Sequence, residues 1–154
     1  MEARIAASRE IRKSGTGECW MNTQVRLQAL NHIGVRVREL QRSVEWYSHL
    51  GFRLVWHSEQ HKVACLRNDQ IGIELNLIVN ADDSNGGRNV LMDLEQKHPG
   101  FNHLSFRVPS IRDTISALDE AGIEIREGPV SLGGEIAVFV RDPDLNVVEL
   151  AEIT

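Results

Sequence analysis

Two segments of the chain, 31–37 and 102–108, alternate apolar and polar residues with a period of two. This alternation predicts β-strands that have one buried face and one polar face. Helices should therefore cover only the apolar side of the sheet. The polar side should then face solvent or line a functional site.

Each of these strands is followed by a predicted amphipathic helix. Apolar residues at spacings of 0, 4 and 7 mark the buried side of each helix. These residues are Leu40, Val44 and Tyr47 in the first helix and Ile111, Ile115 and Leu118 in the second. Gly51 and Gly122 stand where a left-handed C-terminal cap belongs. Three short strands are predicted after each glycine, so each segment has the order βαβββ.

The two segments are copies of one motif. Residues 31–55 align with residues 102–126 at a constant offset of 71 residues without a gap, and the two stretches share Asn, His, Arg, Val and Gly at five positions. A repeat of this length indicates a duplicated structural unit. We therefore predict an α+β fold made of two tandem βαβββ modules.

The predicted layout is a single domain, residues 25–153, behind a flexible N-terminal tail, residues 1–24. Within the domain, the modules span residues 30–79 and 101–153, and residues 80–100 form a polar linker that contains a Gly-Gly pair.

The composition is that of one ordinary globular domain. The chain has 154 residues, of which 42% are hydrophobic and 25% charged. A net charge of -5 gives no basic footprint for nucleic acid, and no apolar run reaches the roughly 18 residues of a membrane span. Cys19 and Cys65 form no CxxC motif, and residues 1–24 lack the apolar core of a secretory signal. We therefore expect reduced thiols and a cytoplasmic location.

Two histidines and two glutamates occupy matching places in the copies. His32 and His103 begin the first strand of each module, and Glu74 and Glu149 lie on the corresponding polar face of the last strand. Imidazoles and carboxylates without a thiolate suit one divalent transition metal, namely Ni, Zn, Mn, Co or Fe. Four protein ligands leave room for water or substrate, as catalysis requires. The simpler alternative is that all four residues are solvated polar groups on an exposed sheet face.

Three segments identify a wider resemblance: LNHIGVRV at 30–37, FNHLSFRV at 101–108 and FVRDPDLNVVEL at 139–150. With them, the chain resembles the vicinal oxygen chelate superfamily, which includes glyoxalase I, fosfomycin-resistance transferases, methylmalonyl-CoA epimerase, extradiol dioxygenases and bleomycin-resistance proteins. The resemblance implies a cupped mixed sheet around a metal, with the helices on the outside. It also implies a homodimer and, in the bacterial glyoxalase arrangement, sites that draw ligands from two chains.

Within that superfamily, the four predicted ligands resemble those of glyoxalase I, which isomerises a glutathione hemithioacetal of a 2-oxoaldehyde. The resemblance implies that Glu149 is the proton-shuttling base and that Glu74 is its pseudo-symmetric partner. It also implies that Arg36 binds the carboxylate of glutathione or of another thiol cosubstrate. The other expected substrate-binding residues are Arg107, Asn76 and His98.

Three functions stay open at this point. The first is a glyoxalase I-like lyase or isomerase that acts on a small oxygenated substrate. The second is another metal-dependent reaction, either thiol transfer to an epoxide or extradiol-type ring cleavage, and Glu74 argues against it. The third is a metal-free resistance protein that sequesters a ligand, and the complete set of four ligands argues against it. The chain also departs from glyoxalase I at Ile78, where that enzyme carries Asn.

Overall fold

The computed structural model describes residues 25–84 and 87–154, which contain eight strands and two helices. In chain order these are β1 (Ile33–Val37), α1 (Leu40–Ser48), β2 (Arg53–Ser58), β3 (Val63–Asn68), β4 (Ile73–Val79), β5 (Leu104–Arg107), α2 (Ile111–Glu120), β6 (Ile125–Leu132), β7 (Glu135–Arg141) and β8 (Val147–Ile153). The predicted βαβββ order is confirmed in both halves. The predicted N-terminal tail, residues 1–24, lies outside the described residues.

Each module forms one four-stranded mixed sheet. The strand order is β1-β4-β3-β2 in module 1 and β5-β8-β7-β6 in module 2. In both sheets the first and last strands of the module pair in parallel, and the other neighbours are antiparallel. The predicted α+β fold is therefore built as two equivalent sheets, one from each copy of the repeat.

Side-chain caps fix the beginning of both helices. At α1, the Glu39 carboxylate accepts hydrogen bonds from the backbone N–H groups of Gln41 (3.0 Å) and Arg42 (3.2 Å). At α2, Ser110 Oγ accepts from the N–H of Asp113 (3.2 Å). These caps satisfy donors that the first turn of a helix leaves without a partner. Within the described ranges, neither helix is long and apolar enough to cross a membrane.

The modules have separate hydrophobic cores that meet at a shared boundary. The core of module 1 contains Val35, Val37, Tyr47, Phe52, Ala64, Leu66, Leu75 and Leu77. The core of module 2 contains Leu118, Ile123, Val138, Val140, Val148 and Leu150. Trp46, Leu50 and Phe106 pack against both cores. Because these side chains bury apolar surface on both sides at once, they join the modules into one packed unit.

A buried polar contact also crosses the boundary. The Tyr47 hydroxyl donates to Oδ2 of Asp142 at 3.0 Å. Asn146 Nδ2 donates to the same carboxylate oxygen at 2.8 Å and to the backbone carbonyl of Arg36 at 3.2 Å. Burial raises the pKa of both Tyr47 and Asp142. The charge of Asp142 is thus held by hydrogen bonds from both modules.

The described part of the linker folds back onto module 2. Arg141, at the end of β7, donates to Asp93 at 2.5 Å, and Asn89 Nδ2 donates to the carbonyl of Asn102 at 2.8 Å. Val90 is buried. These contacts hold the linker beside the residue that precedes His103.

Candidate metal centre

Both modules present a histidine whose ring is oriented by the preceding asparagine. His32 Nδ1 lies 2.6 Å from Asn31 Oδ1, and His103 Nδ1 lies 2.5 Å from Asn102 Oδ1. Because an amide oxygen only accepts, Nδ1 is the donor in each contact, which leaves Nε2 as the nitrogen that can face a metal. Metal-binding histidines usually have such a partner on the other ring nitrogen. The repeated Asn-His pair therefore presents two imidazoles in matched orientation, as the predicted ligand set requires.

In module 2 the histidine lies directly beside the predicted acid. His103 Nε2 is 3.0 Å from Glu149 Oε2, and the two side chains are 28% and 16% exposed. Two ligand atoms that bind one ion at right angles, each with a bond of about 2.1 Å, stand about 3 Å apart. The spacing and donor chemistry of this pair therefore fit two neighbouring ligands of a divalent transition metal, at a position that solvent reaches.

In module 1 the predicted acid is bound by an arginine instead. Arg67 Nε donates to Glu74 Oε1 at 2.9 Å, and Arg67 Nη2 donates to the same oxygen. The other carboxylate oxygen, Oε2, lies 3.7 Å from the Cys65 sulfur. The hydrogen bonds from Arg67 hold the pKa of Glu74 below its usual range. Glu74 is therefore a carboxylate whose charge is already balanced.

A difference in strand register underlies this contrast. In module 1, Gly34 of β1 pairs with Asn76 of β4. In module 2, the repeat counterpart of Gly34 is Ser105 of β5, which pairs with Glu149 of β8. The structural counterpart of Glu149 is therefore Asn76, which lies two residues beyond Glu74. The sequence match of Glu74 with Glu149 does not survive as a match in position.

The turns that precede the last strands produce this offset. Between β3 and β4, six residues separate the paired Arg67 and Glu74. Between β7 and β8, five residues separate the paired Arg141 and Val147. Because the turns differ in length, the similar segments Ile73–Leu75 and Val148–Leu150 fall at different heights along their strands.

The four predicted ligands form two pairs within one chain. His32 precedes β1, which pairs with the strand that carries Glu74, and His103 lies beside Glu149 in module 2. Among residues 25–84 and 87–154, no three His, Cys, Asp or Glu side chains come together as a metal-binding group. Within these ranges, the four predicted ligands therefore do not meet as one group.

The predicted substrate-binding residues lie in different settings. Arg36 follows His32 on β1 and donates to Asn80 Oδ1. Asn76 is half-buried on β4, whereas Arg107 is exposed at the end of β5. His98 is exposed in the linker, where its Nδ1 lies 3.4 Å from the carbonyl of Pro99. Their role in substrate binding stays a prediction.

Sequence reasoning missed three residues of this region. Asn31 and Asn102 orient the histidines, and their identity in both copies of the repeat was the available signal. Arg67 binds Glu74. The arginine at the matching position of module 2, Arg141, binds Asp93 in the linker instead, so the repeat gave no signal for the contact of Arg67. Only the strand pairing distinguishes these two arginines.

Similarity to known sequences covers the region of all four predicted ligands. The sequence model of the Glyoxalase/Bleomycin resistance protein/Dioxygenase superfamily matches residues 29–150. The chain belongs to this superfamily. The superfamily match begins before His32 and ends after Glu149, so all four predicted ligands fall within it.

Two relatives of this superfamily member are similar over most of its length. The glyoxalase domain-containing protein RDO1 of Mycosarcoma maydis is 26% identical over 133 residues, which cover 83% of this chain and 70% of the relative. The virulence protein STM3117 of Salmonella typhimurium is 27% identical over 139 residues, which cover 84% of this chain and 87% of the relative.

Solved structures agree with the glyoxalase-superfamily fold. The crystal structure of STM3117 matches with a TM-score of 0.61 at 25% identity and covers 84% of this chain and 100% of its own. The fosfomycin resistance protein FosX of Listeria monocytogenes matches with a TM-score of 0.61 at 16% identity and covers 84% of this chain and 96% of its own. The second match shows the fold alone.

Proposed function

We propose that this protein is a metal-dependent lyase or isomerase whose active site forms between two protomers. The observation that supports this most is the contact of 3.0 Å between His103 Nε2 and Glu149 Oε2. An imidazole oriented through Nδ1 and a carboxylate at ligand spacing are half of a catalytic metal site. The other half, with His32, comes from the partner protomer.

The surface around the half-sites supports a homodimer. Leu30 and Phe101 occupy equivalent positions directly before the two Asn-His pairs, and they are 60% and 106% exposed. An apolar side chain that is fully exposed beside a functional surface is typical of an interaction site. Two copies related by a two-fold axis would cover both residues and bring the half-site of each module against the complementary half of its partner.

The donor set defines what each residue does when a metal is held there. A divalent ion supplies Lewis-acid polarisation of a substrate oxygen. His32, His103 and Glu149 hold it, and Asn31 and Asn102 keep the two imidazoles in the required orientation. Among the described residues, the side chain of Glu149 makes no hydrogen bond or ion pair other than that of Oε2 with His103. With Oε2 on the ion, its other carboxylate oxygen would take a proton from a substrate carbon and return it to the neighbouring carbon, which is an isomerisation.

The substrate class that fits these groups is a thiol adduct of a 2-oxoaldehyde, with glutathione or another thiol as cosubstrate. Arg36 and Arg107 follow the two histidines on their strands and would bind the anionic end of the thiol. One observation favours a second candidate, thiol transfer to an epoxide. Because Arg67 binds Glu74, two histidines and one glutamate are left for the metal, which is the ligand pattern of fosfomycin-resistance transferases.

Metal analysis tests the site directly. Purified wild-type protein, incubated with Ni, Zn, Mn, Co or Fe and then dialysed, should retain about one ion per chain. Glu149→Ala and His103→Ala should retain none, because each removes a ligand from the same half-site. His61→Ala is the matched control, since His61 is an exposed histidine in the turn between β2 and β3. Wild-type protein that binds none of these metals would refute the proposal.

Mixing two defective variants tests whether the site crosses the protomer boundary. His32→Ala and His103→Ala should each lose metal as homodimers. When the two are refolded together, half of the dimers are mixed, and each mixed dimer contains one intact site, so about a quarter of the sites should return. If each site lay within one chain, the mixture would recover none.

Activity with chosen substrates separates the two candidate reactions. Metal-loaded protein is supplied with methylglyoxal and either glutathione or another thiol, and thioester formation is recorded by absorbance. Glyoxalase activity predicts thioester that disappears in Glu149→Ala. Consumption of thiol with fosfomycin but not with methylglyoxal would favour the transferase instead.

A further inference from the structure

We infer that Asn76, and not Glu74, supplies the module 1 group beside the metal, and that Arg67 holds Glu74 in the wall of the site. The inference rests on the proposed two-protomer metal site. It replaces a site of two acids with a site of one acid and one amide.

The first argument is position. Asn76 and Glu149 are equivalent in the pairing of first and last strands, because Gly34 pairs with Asn76 and Ser105 pairs with Glu149. They are equivalent again on the opposite side of the last strand, where β3 and β7 run antiparallel to it. There, Cys65 pairs with Asn76 and Phe139 pairs with Glu149. An ion placed symmetrically between module 1 of one protomer and module 2 of its partner would face Asn76 on one side and Glu149 on the other.

The second argument is the state of Glu74. Both donors of the Arg67 fork bind one oxygen, Oε1, and the sulfur of Cys65 lies beside the other. The register makes this contact unavoidable, because Arg67 and Glu74 are directly paired across β3 and β4. To bind the metal, the Glu74 carboxylate would have to extend along β4 beyond its paired residue, Arg67, towards the level of Asn76. It would also have to share its charge with the Arg67 guanidinium.

The third argument is the absence of such an arginine in module 2. Arg141 is the repeat counterpart of Arg67, but it pairs with Val147 and binds Asp93 of the linker at 2.5 Å. Glu149 is therefore left to His103. The arginine at this repeat position neutralises the acid of module 1, whereas in module 2 it binds the linker and not the acid. The two acids therefore have different roles.

The fourth argument is that Asn76 is available. Its side chain is half-buried and makes no hydrogen bond to any other described residue. An amide on this face offers one acceptor and two donors. Beside a metal it would donate from Nδ2 to a substrate oxygen that is bound to the ion. With one carboxylate in place of two, the site also keeps a net positive charge and favours a substrate oxygen that is anionic.

The test is cobalt binding by metal-free dimeric protein, measured by calorimetry and by the visible absorption spectrum of the bound ion. Glu74→Gln should bind cobalt within about twofold of wild type, since the carboxylate it removes is not a ligand. Asn76→Glu should bind at least about tenfold more tightly and change the spectrum, because it adds a carboxylate ligand. Glu59→Gln, at an exposed acid in the turn between β2 and β3, is the control.

A decrease of more than about tenfold in the cobalt affinity of Glu74→Gln would overturn the inference, because it would show that Glu74 is a ligand. An Asn76→Glu variant with unchanged affinity and spectrum would overturn it as well. Arg67→Gln adds a second check, and it should change the cobalt spectrum no more than Glu74→Gln does. Wild-type protein that binds no cobalt would instead refute the proposed metal site itself. Circular dichroism and the mass of the dimer establish that each variant is folded.

Discussion

Module 1 and module 2 share one fold but use it differently. Both place a histidine directly before the first strand with its Nδ1 against an asparagine. In module 2 the nearest acid, Glu149, contacts that histidine, whereas in module 1 the nearest acid, Glu74, contacts Arg67. The comparison teaches that a repeat preserves backbone and core more faithfully than it preserves polar partners, because partners depend on register.

The largest expected effects come from equivalent core positions. Leu77 and Leu150 are buried and pair with Val35 and Phe106 in the two modules. Leu77→Ala and Leu150→Ala should each reduce the free energy of unfolding by about 2–5 kcal/mol. Because Phe106 packs against both cores, each change should weaken the whole domain in one transition.

Urea unfolding followed by two signals checks this expectation. Trp46 and Trp56, the tryptophans that the structure describes, lie in module 1, whereas circular dichroism reports both sheets. In Leu150→Ala the two signals should shift to the same midpoint although the change is in module 2. Fluorescence that keeps the wild-type midpoint would mean that the modules unfold separately.

A smaller effect is expected at a position where the modules differ in chemistry. Tyr47 is the single tyrosine of the sequence, and its repeat counterpart is Leu118, which has no hydroxyl. Tyr47→Phe removes a buried hydrogen bond to the Asp142 carboxylate and should cost about 1.5–3 kcal/mol of unfolding free energy. Leu118→Met serves as the control for a conservative change at the equivalent core site.

The same tyrosine predicts a dependence on alkaline pH. Burial raises the pKa of Tyr47 in the folded state, so the folded protein keeps this proton when the unfolded chain has lost it. Its contribution to stability is complete below the ordinary tyrosine pKa of about 10 and is lost as pH rises from there towards the folded value. The slope of stability against pH above that point should therefore be shallower in Tyr47→Phe. An unchanged slope would contradict the assignment.

The smallest effect is expected from exposed ion pairs that occupy equivalent positions. Arg53 binds Asp69 at 2.8 Å with both side chains more than half exposed, and its repeat counterpart, Glu124, binds Arg126 at 2.9 Å. Arg53→Ala and Glu124→Ala should each change the free energy of unfolding by less than about 1 kcal/mol, since water screens such pairs. A loss well above that in only one module would identify a structural role that exposure does not suggest.

Much of the fold could be predicted from the sequence because its signals are local. Alternation identified the first strand of each module, and the 0, 4, 7 spacing placed Tyr47 and Leu118 on the buried sides of the helices. The repeat then showed that both halves have the same order of elements.

The candidate site could be predicted only in part. The parity of Glu74 and Glu149 gave the correct sheet face, because a face depends on whether a position is odd or even. Their height along the strand depends on turn length, and one residue of difference between the two turns was enough to put Asn76 level with Glu149. No local pattern reports that difference, or whether a half-site is completed by a second chain.

The contact between each asparagine and its histidine has a consequence for the timing of metal uptake. A free imidazole can rotate and can place its proton on either nitrogen, and a binding ion must then wait for the correct arrangement. In His32 and His103 the ring has been turned and the proton placed by the time the chain has folded. The conformational entropy of the ligands is therefore lost during folding, when the hydrophobic core compensates for it. An ion bound at the proposed site would therefore not lose affinity to the ordering of these two rings.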